Sequence, residues 1–421
     1  MSHLNIKTLL NVKEKFKGFV FKNTRLIEKN NMRRIEVDVV ARKGSKGQCA
    51  QCGSDGPTYD HLPQREFLYV PLWGITVYLL YCMRRINCKN CDSLKTESVP
   101  WSDGKSPITI SMMWYLSELA KILSWAGVAK LTKTTWHHIY TSVAHTVGWG
   151  RERVNLDGIT ALGIDEVFWG KGKCATVVYQ IDNHRKRLLY IVEKRTKESI
   201  NGFFDWFSKE RSSQIKFICT DMWKNFLNVV KDRAPNALNI LDRFHIVKKI
   251  NEAIDKVRNL EAKELKKKGK DIVLKNSRWT LLKRVENLTE KQSAKLKELL
   301  ACNLKTIKAY LLKEEFDYFW QYSSATWASK FLKCWTTKVM RSKIEPMKAV
   351  AKTIRNHECL ILNWFEAKGQ LHLGAVEGLN NKLKSSIRNS YGIKTFKILE
   401  VMLYHRLGDL PVTEDAHKFF N

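Results

Sequence analysis

The sequence runs to 421 residues, more than one hydrophobic core ordinarily supports, so two to four folded units are expected. Its 44% apolar and 11% aromatic content is too rich for a largely disordered chain, and no run of about 18 uninterrupted apolar residues offers a membrane span. The formal charge of +31, from 73 Lys and Arg against 42 Asp and Glu, recurs in the N-terminal, middle and C-terminal regions and would strain a compact fold without an anionic partner, for which nucleic acid is the leading candidate.

Residues Met1 to Lys17 lack the apolar core and cleavage site of a signal peptide, so the chain is expected in the cytoplasm. There its ten cysteines read as thiols or metal ligands rather than disulfides. Cys49-Ala-Gln-Cys52 and Cys88-Lys-Asn-Cys91 have the spacing that lets two thiolates of one tight turn grip a tetrahedral zinc ion. Phe67 and Tyr69, then Ile75, Val77, Leu79 and Tyr81, alternate about Pro71-Leu-Trp-Gly74. Such a hairpin accounts for a gap longer than the roughly 15 to 20 residues usual between the pairs. Residues 1–100 thus read as an N-terminal region with a zinc ribbon, and Cys82, inside a strand-like run, reads as core.

Residues 101–155 carry helical spacing: Leu116, Leu119 and Leu123, then Val128 and Leu131, then Trp136, Ile139, Tyr140 and Val143. A break at Thr132-Lys133-Thr134, before a helix carrying Thr135, His137 and His138 outward, fits a helix-turn-helix whose last helix enters a major groove. Any small three-helix unit gives the same pattern. His137 and His138 read as surface residues rather than metal ligands.

From Ala161 the texture turns to strands: Ala161 to Trp169, Ala175 to Asp182 and Leu188 to Glu193. A helix at Lys197 to Lys209, a strand at Ile215 to Thr220, a helix at Trp223 to Lys231 and a strand at Ala237 to Leu241 follow. That is the order of an RNase H-like α/β core with a mixed sheet, spanning residues 156–247. Strand signals then vanish, and residues 248–368 read as an all-helical insertion before the last part of the core, residues 369–421. The predicted fold class is multidomain α+β.

Asp165 and Asp221 each end an apolar run, where a buried strand meets solvent, and adjacent strands would bring them together. Hard divalent cations such as Mg2+ or Mn2+ prefer such oxygen ligands. The third acid comes from Glu377-Gly-Leu-Asn-Asn-Lys: if helical, this segment sets Leu379, Leu383 and Ile387 on one face and Glu377, Asn381, Lys384 and Arg388 on the other. An acid in line with two cations suits phosphoryl transfer, the Glu on metal and the cations on the phosphates of an incoming strand. Glu166 rivals Asp165 but points to the other face of a strand. Asp182 and Asp242 are further strand-end carboxylates, suited to supporting roles.

In the order of these segments, the chain resembles ISL3-family insertion-sequence transposases of the DDE type. The likeness is carried by the paired CxxC ribbon, Gly163-Ile-Asp-Glu166, Thr220-Asp-Met-Trp223, Asp242-Arg-Phe-His-Ile-Val247, and Glu377-Gly-Leu-Asn-Asn-Lys382 with Tyr391-Gly392 beyond. It implies an RNase H-like catalytic domain interrupted by a helical insertion, preceded by a zinc ribbon and a helix-turn-helix. It further implies the triad Asp165, Asp221 and Glu377, two active-site Mg2+ or Mn2+ ions, structural Zn2+ on Cys49, Cys52, Cys88 and Cys91, and double-stranded DNA as partner at both element ends and target. Lys133, Thr135, His137, His138, Asn381, Lys384 and Arg388 are the expected DNA contacts. A homodimer or higher multimer at the bacterial nucleoid is expected, without membrane attachment. The competing readings are an inactive, transposase-derived DNA-binding regulator and an RNase H-like nuclease that cleaves without joining.

Overall fold

A computed structural model describes residues 5–29, 31–270, 273–368, 370–371, 374–390 and 392–417, with 415 and 417 described by backbone alone. Contacts divide the chain into two units, Met1–Asn155 with Ser386–Asn421, and Leu156–Ser385.

The first unit opens with helix α1 (Ile6–Lys13) and the strands β1 (Phe19–Lys29) and β2 (Met32–Ala41). Two short strands, β3 (Gly47–Gln48) and β4 (Asp55–Gly56), flank the first CxxC, and the long hairpin of β5 (Thr58–Leu72) and β6 (Ile75–Cys88) leads to the second, followed by β7 (Ser93–Thr96). The sheet runs β1-β2-β6-β5, with β7 paired to β6. Trp73 and Gly74 at the hairpin tip have φ of 50° and 77°, the positive values that a tight two-residue turn requires. Phe67, Tyr69, Val77, Leu79 and Tyr81 are buried and Ile75 is half-buried, but the intervening Leu68, Val70 and Leu80 are buried too, so burial here does not alternate as the sequence pattern predicted. The strands β1 and β2 had no counterpart in the sequence reading. Buried Trp101 centres this core, with the rings of Phe19 and Tyr81 edge-on at 4.9 and 5.3 Å.

Three helices follow, α2 (Ile110–Ile122), α3 (Trp125–Leu131) and α4 (Trp136–Glu152). Thr109, Ser124 and Thr135 cap them, each side chain accepting from the third helical amide. Leu116, Val128, Ile139 and Val143 are buried, whereas Leu123, Leu131 and Trp136, expected on the apolar face, are 39%, 63% and 43% exposed. The two chain breaks reset the helical phase, so one periodicity does not run through all three helices.

The second unit begins with an antiparallel meander, β8 (Ala161–Gly170), β9 (Lys173–Gln180) and β10 (Arg187–Glu193). Helices α5 (Lys197–Phe207) and α6 (Lys209–Ser213), strand β11 (Phe217–Thr220), helix α7 (Lys224–Arg233) and strand β12 (Leu238–Leu241) complete a sheet of order β10-β9-β8-β11-β12, in which β11 runs parallel to both neighbours. Helices α5 and α7 bury Phe203, Phe207, Phe226 and Val229 against Leu162, Ile164 and Ile218 on one face. Each such side chain contributes about 1.5 to 3 kcal/mol.

Seven helices then form a second core: α8 (Arg243–Lys267), α9 (Arg278–Leu282), α10 (Glu290–Leu300), α11 (Lys305–Asp317), α12 (Ala325–Arg341), α13 (Glu345–Asn356) and α14 (Glu358–Ala367). The Asn363 side chain on α14 donates to the Asn239 carbonyl at 2.6 Å, so this block covers the β12 edge of the sheet. Helix α15 (Ala375–Arg388) follows. It packs against β8 where Gly163 leaves room, since a Cβ there would sit 2.5 Å from Val376 Cγ2.

The last helix, α16 (Phe396–Leu407), belongs to the first unit. Residues 369–421 were expected together as the end of the core, but the units divide after Ser385. The physical reason is local: Arg151 on α4 pairs with Glu400 at 2.8 Å, Ser117 Oγ lies 3.0 Å from His405 Nε2, and Leu399, Met402 and Leu403 are buried.

Candidate active site

Strand register sets the acids in a row. Cys219 pairs with Gly163 and Thr220 with Leu241, both in parallel. Continuing those ladders brings Asp221 level with Asp165 on one side and with Asp242 on the other. Neighbouring strands lie about 4.8 Å apart. Asp221 and Asp242 therefore stand just past the ends of β11 and β12, whereas Asp165, expected at a strand end, lies within β8, which continues to Gly170 in pairing with β9; Asp165 and Asp221 are both buried.

Each acid has its own support. Asp165 Oδ2 accepts from Asn380 Nδ2 at 2.5 Å and Oδ1 from the Glu166 amide at 2.7 Å, while Tyr179 donates to Asn380 Oδ1 at 2.9 Å. Burial pushes the Asp165 carboxyl above the usual range, against the opposing pull of His245. Asp221 accepts from the Trp223 amide at 2.9 Å and pairs with Arg195 at 2.5 Å. The same guanidinium reaches Glu166 at 2.9 Å and stacks on Trp223 at 4.4 Å. Glu166 is thus the partner of Arg195 on the α5 and α7 face, while Asp165 faces α15.

Asp242 caps α8, accepting from the Phe244 amide at 2.9 Å, and lies 3.4 Å from His245 Nδ1. His245 Nε2 lies 3.9 Å from Asp165. Burial pulls the imidazole pKa down, but the Asp242 contact and the charges of Asp165, Asp242 and Asp221 outweigh it and hold the group above its usual value. Asp182, the other rival, accepts from Thr160 Oγ1 at 2.6 Å and Gln180 at 2.9 Å and ties the opposite end of the sheet.

Glu377 stands exposed in the first turn of α15, one turn before Asn380, and makes no hydrogen bond or ion pair among the described residues. Leu379 and Leu383 are buried and Asn381, Lys384 and Arg388 are exposed, so the helix has the two faces that the spacing predicted. Tyr391 lies outside the described residues. Arg195, His245 and Asn380 were not singled out from the sequence. His245 and Asn380 lay inside the Asp-Arg-Phe-His and Glu-Gly-Leu-Asn-Asn-Lys segments quoted above, without a role of their own, and nothing pointed to Arg195.

Among the described residues, the one group of three or more His, Cys, Asp and Glu that converges closely enough for a metal is Cys49, Cys52, Cys88 and Cys91, whose sulfurs lie within 4.8 Å of one another. Cys49 and Cys91 are 3.9 Å apart and Cys52 and Cys88 3.4 Å. Tetrahedral Zn–S bonds of about 2.3 Å require sulfurs about 3.8 Å apart, so the set fits zinc. Hydrogen bonds from Ser54 draw the Cys52 thiol down to about 5, toward the thiolate a metal needs. In the helical region Lys133, Thr135 and His137 are exposed and His138 half-buried; the Thr135 hydroxyl is engaged as the cap of α4. No helix of the described residues is long and apolar enough to cross a membrane.

A family model for DDE transposases of the ISL3 type, described as "Transposase", matches residues 162–403, more than half the chain and the whole span from Asp165 through Glu377. The transposase for insertion sequence element IS1001 of Bordetella parapertussis is 27% identical over 349 residues, covering 82% of this chain and 85% of that protein. The transposase for insertion sequence element IS1557 of Mycobacterium tuberculosis is 25% identical over 412 residues, covering 91% of each.

Proposed function

The chain belongs to the ISL3 family of transposases, and from that premise we propose that it binds the terminal inverted repeats of its element, cuts DNA at the element ends and joins the freed 3′-hydroxyls to target DNA. The observation that carries this reading is the row of acids on three neighbouring strands, Asp165 within β8 and Asp221 and Asp242 just past β11 and β12, with α15 held onto Asp165 through Asn380. The sheet order, three antiparallel strands followed by two parallel ones, supports an RNase H-like core.

Asp165, Asp221 and Glu377 would hold two Mg2+ or Mn2+ ions. An all-oxygen donor set of two buried carboxyls and one exposed one suits hard divalent cations. Such ions, when bound, supply acidity to the attacking water and charge neutralisation to the leaving oxygen. The residues of the chain do the positioning. Lys384 and Arg388, exposed and without ion pairs among the described residues, would grip phosphates flanking the scissile bond. Arg195 stabilises Asp221, and Asn380 and His245 orient Asp165. Water attacks the scissile phosphate, the P–O3′ bond breaks and the 3′-oxygen leaves as a hydroxyl. That hydroxyl attacks a target phosphate in turn, forming a new P–O3′ bond as the target's own P–O3′ bond breaks and the target 3′-oxygen leaves as a hydroxyl.

Zinc on the four cysteines would brace the N-terminal sheet, and α3 and α4 would read the element end. Synapsis of two ends calls for a multimer, and the bacterial cytoplasm, at the nucleoid, is the setting. The test is strand transfer with labelled element-end duplex, a target plasmid and Mg2+ or Mn2+. Joined products support the reading. Cleavage without joining would make the protein a nuclease, and end binding without cleavage a regulator.

A further inference from the structure

The chemistry above leaves unused a cavity in the first unit, between α3, the first turn of α4 and α16. It encloses about 390 Å³, within the range of pockets that hold small molecules. Trp125, Trp136, Ile398 and Met402 form its walls, Lys394 and Arg406 supply charge, and none of its lining residues is acidic. Trp136 is held as a plane: it stacks on Tyr140 with 1° between the rings, and Trp125 lies 5.5 Å away. Arg406 Nε is buried without a hydrogen-bond partner, and burial draws the guanidinium below its usual pKa. A half-buried cation with no carboxylate facing it is costly until an anion arrives. Trp136 is itself 43% exposed and neighbours exposed Lys133, Thr135 and His137 in sequence.

Indole planes, an apolar wall and cations without acids are the chemistry that takes a nucleobase with its phosphate. The Asn389 side-chain amide, also on the lining, offers a donor and an acceptor to a base edge. We propose that this cavity receives one unstacked DNA base, extruded from a duplex or frayed at an end, with Arg406 and Lys394 on its phosphates. The proposal rests on the DNA-acting function above. Extrusion costs a few kcal/mol from a paired duplex and least where the base is already unpaired, so the site selects DNA that is distorted at one nucleotide.

The test measures affinity of the full-length protein for a paired duplex and for the same duplex carrying one unpaired 2-aminopurine. The expected result is tighter binding of the bulged duplex, by roughly 5- to 100-fold, with 2-aminopurine fluorescence quenched on Trp136. Trp136→Ala removes the quench and most of the preference, and Arg406→Gln weakens binding of the bulged duplex alone; circular dichroism confirms that both variants are folded. Quenching in the wild type decides the matter even if a variant misfolds. Equal affinity without quenching, or a preference untouched by Trp136→Ala, overturns the pocket and leaves the DNA reading standing. Failure to bind either duplex overturns both.

Discussion

Asp165 and Glu166 are neighbours in sequence and opposites in structure. Asp165 faces Asn380 and His245, while Glu166 is paired with Arg195. Asp165→Asn is expected to reduce end cleavage by roughly a thousandfold or more, in line with loss of a carboxylate proposed to hold a metal ion that neutralises the developing charge. Glu166→Gln should retain cleavage within about tenfold, because losing one part-exposed ion pair is worth about 1 kcal/mol or less. Cleavage rates on one labelled duplex compare the two, and the reverse ranking would transfer the assignment to Glu166. An acid closing an apolar run marked the end of β11 correctly for Asp221, but at Asp165 the strand runs on to Gly170, because β9 continues to pair with it. Arg195 was invisible in the sequence: nothing in Lys194-Arg195-Thr196 announces that its guanidinium crosses to Asp221.

Elements carry these residues, and their positions can be tested separately. Gly163→Ala would drive a methyl group against Val376, which should destabilise the protein by about 1 to 3 kcal/mol and slow cleavage by moving α15 off β8. Adding Val376→Ala should restore both, read by thermal melting and single-turnover cleavage; no restoration would mean that α15 is not held there. On α16, His405 is held near pKa 4 by burial, with Lys121 and Arg406 adding to the effect. The folded value is depressed below the unfolded one, so its contribution is full above about pH 6.5 and is lost as pH falls toward 4, a change of about 3 kcal/mol. His405→Gln should flatten the fall of the melting temperature across that window, and an unchanged slope would refute it. Strands and helices of the second unit were legible from period and length. The phase of α3 and α4 was not, because Ser124 and Thr135 restart each helix and turn Leu131 and Trp136 outward.

At the scale of the whole molecule, the two CxxC pairs bring a long hairpin to one point, and neighbouring strands of a second sheet bring Asp165, Asp221 and Asp242 level at another. Cys88→Ser should lose bound zinc, measured by atomic absorption, and lower the melting temperature of the protein. Retained zinc at one ion per chain would contradict the four-thiolate site. The helical block was legible as helix but not as the cover of the β12 edge, since the Asn363 contact with Asn239 joins residues far apart in sequence. Glu377 was legible from the two faces of its helix and from the family resemblance. The central claim is that these carboxylates cut DNA, and the most direct measurement is cleavage of an element-end duplex by Asp221→Asn beside the wild type in Mg2+ or Mn2+. The account predicts that the variant binds the duplex as tightly as the wild type and yields no nicked 3′-hydroxyl product; cleavage at the wild-type rate would contradict it.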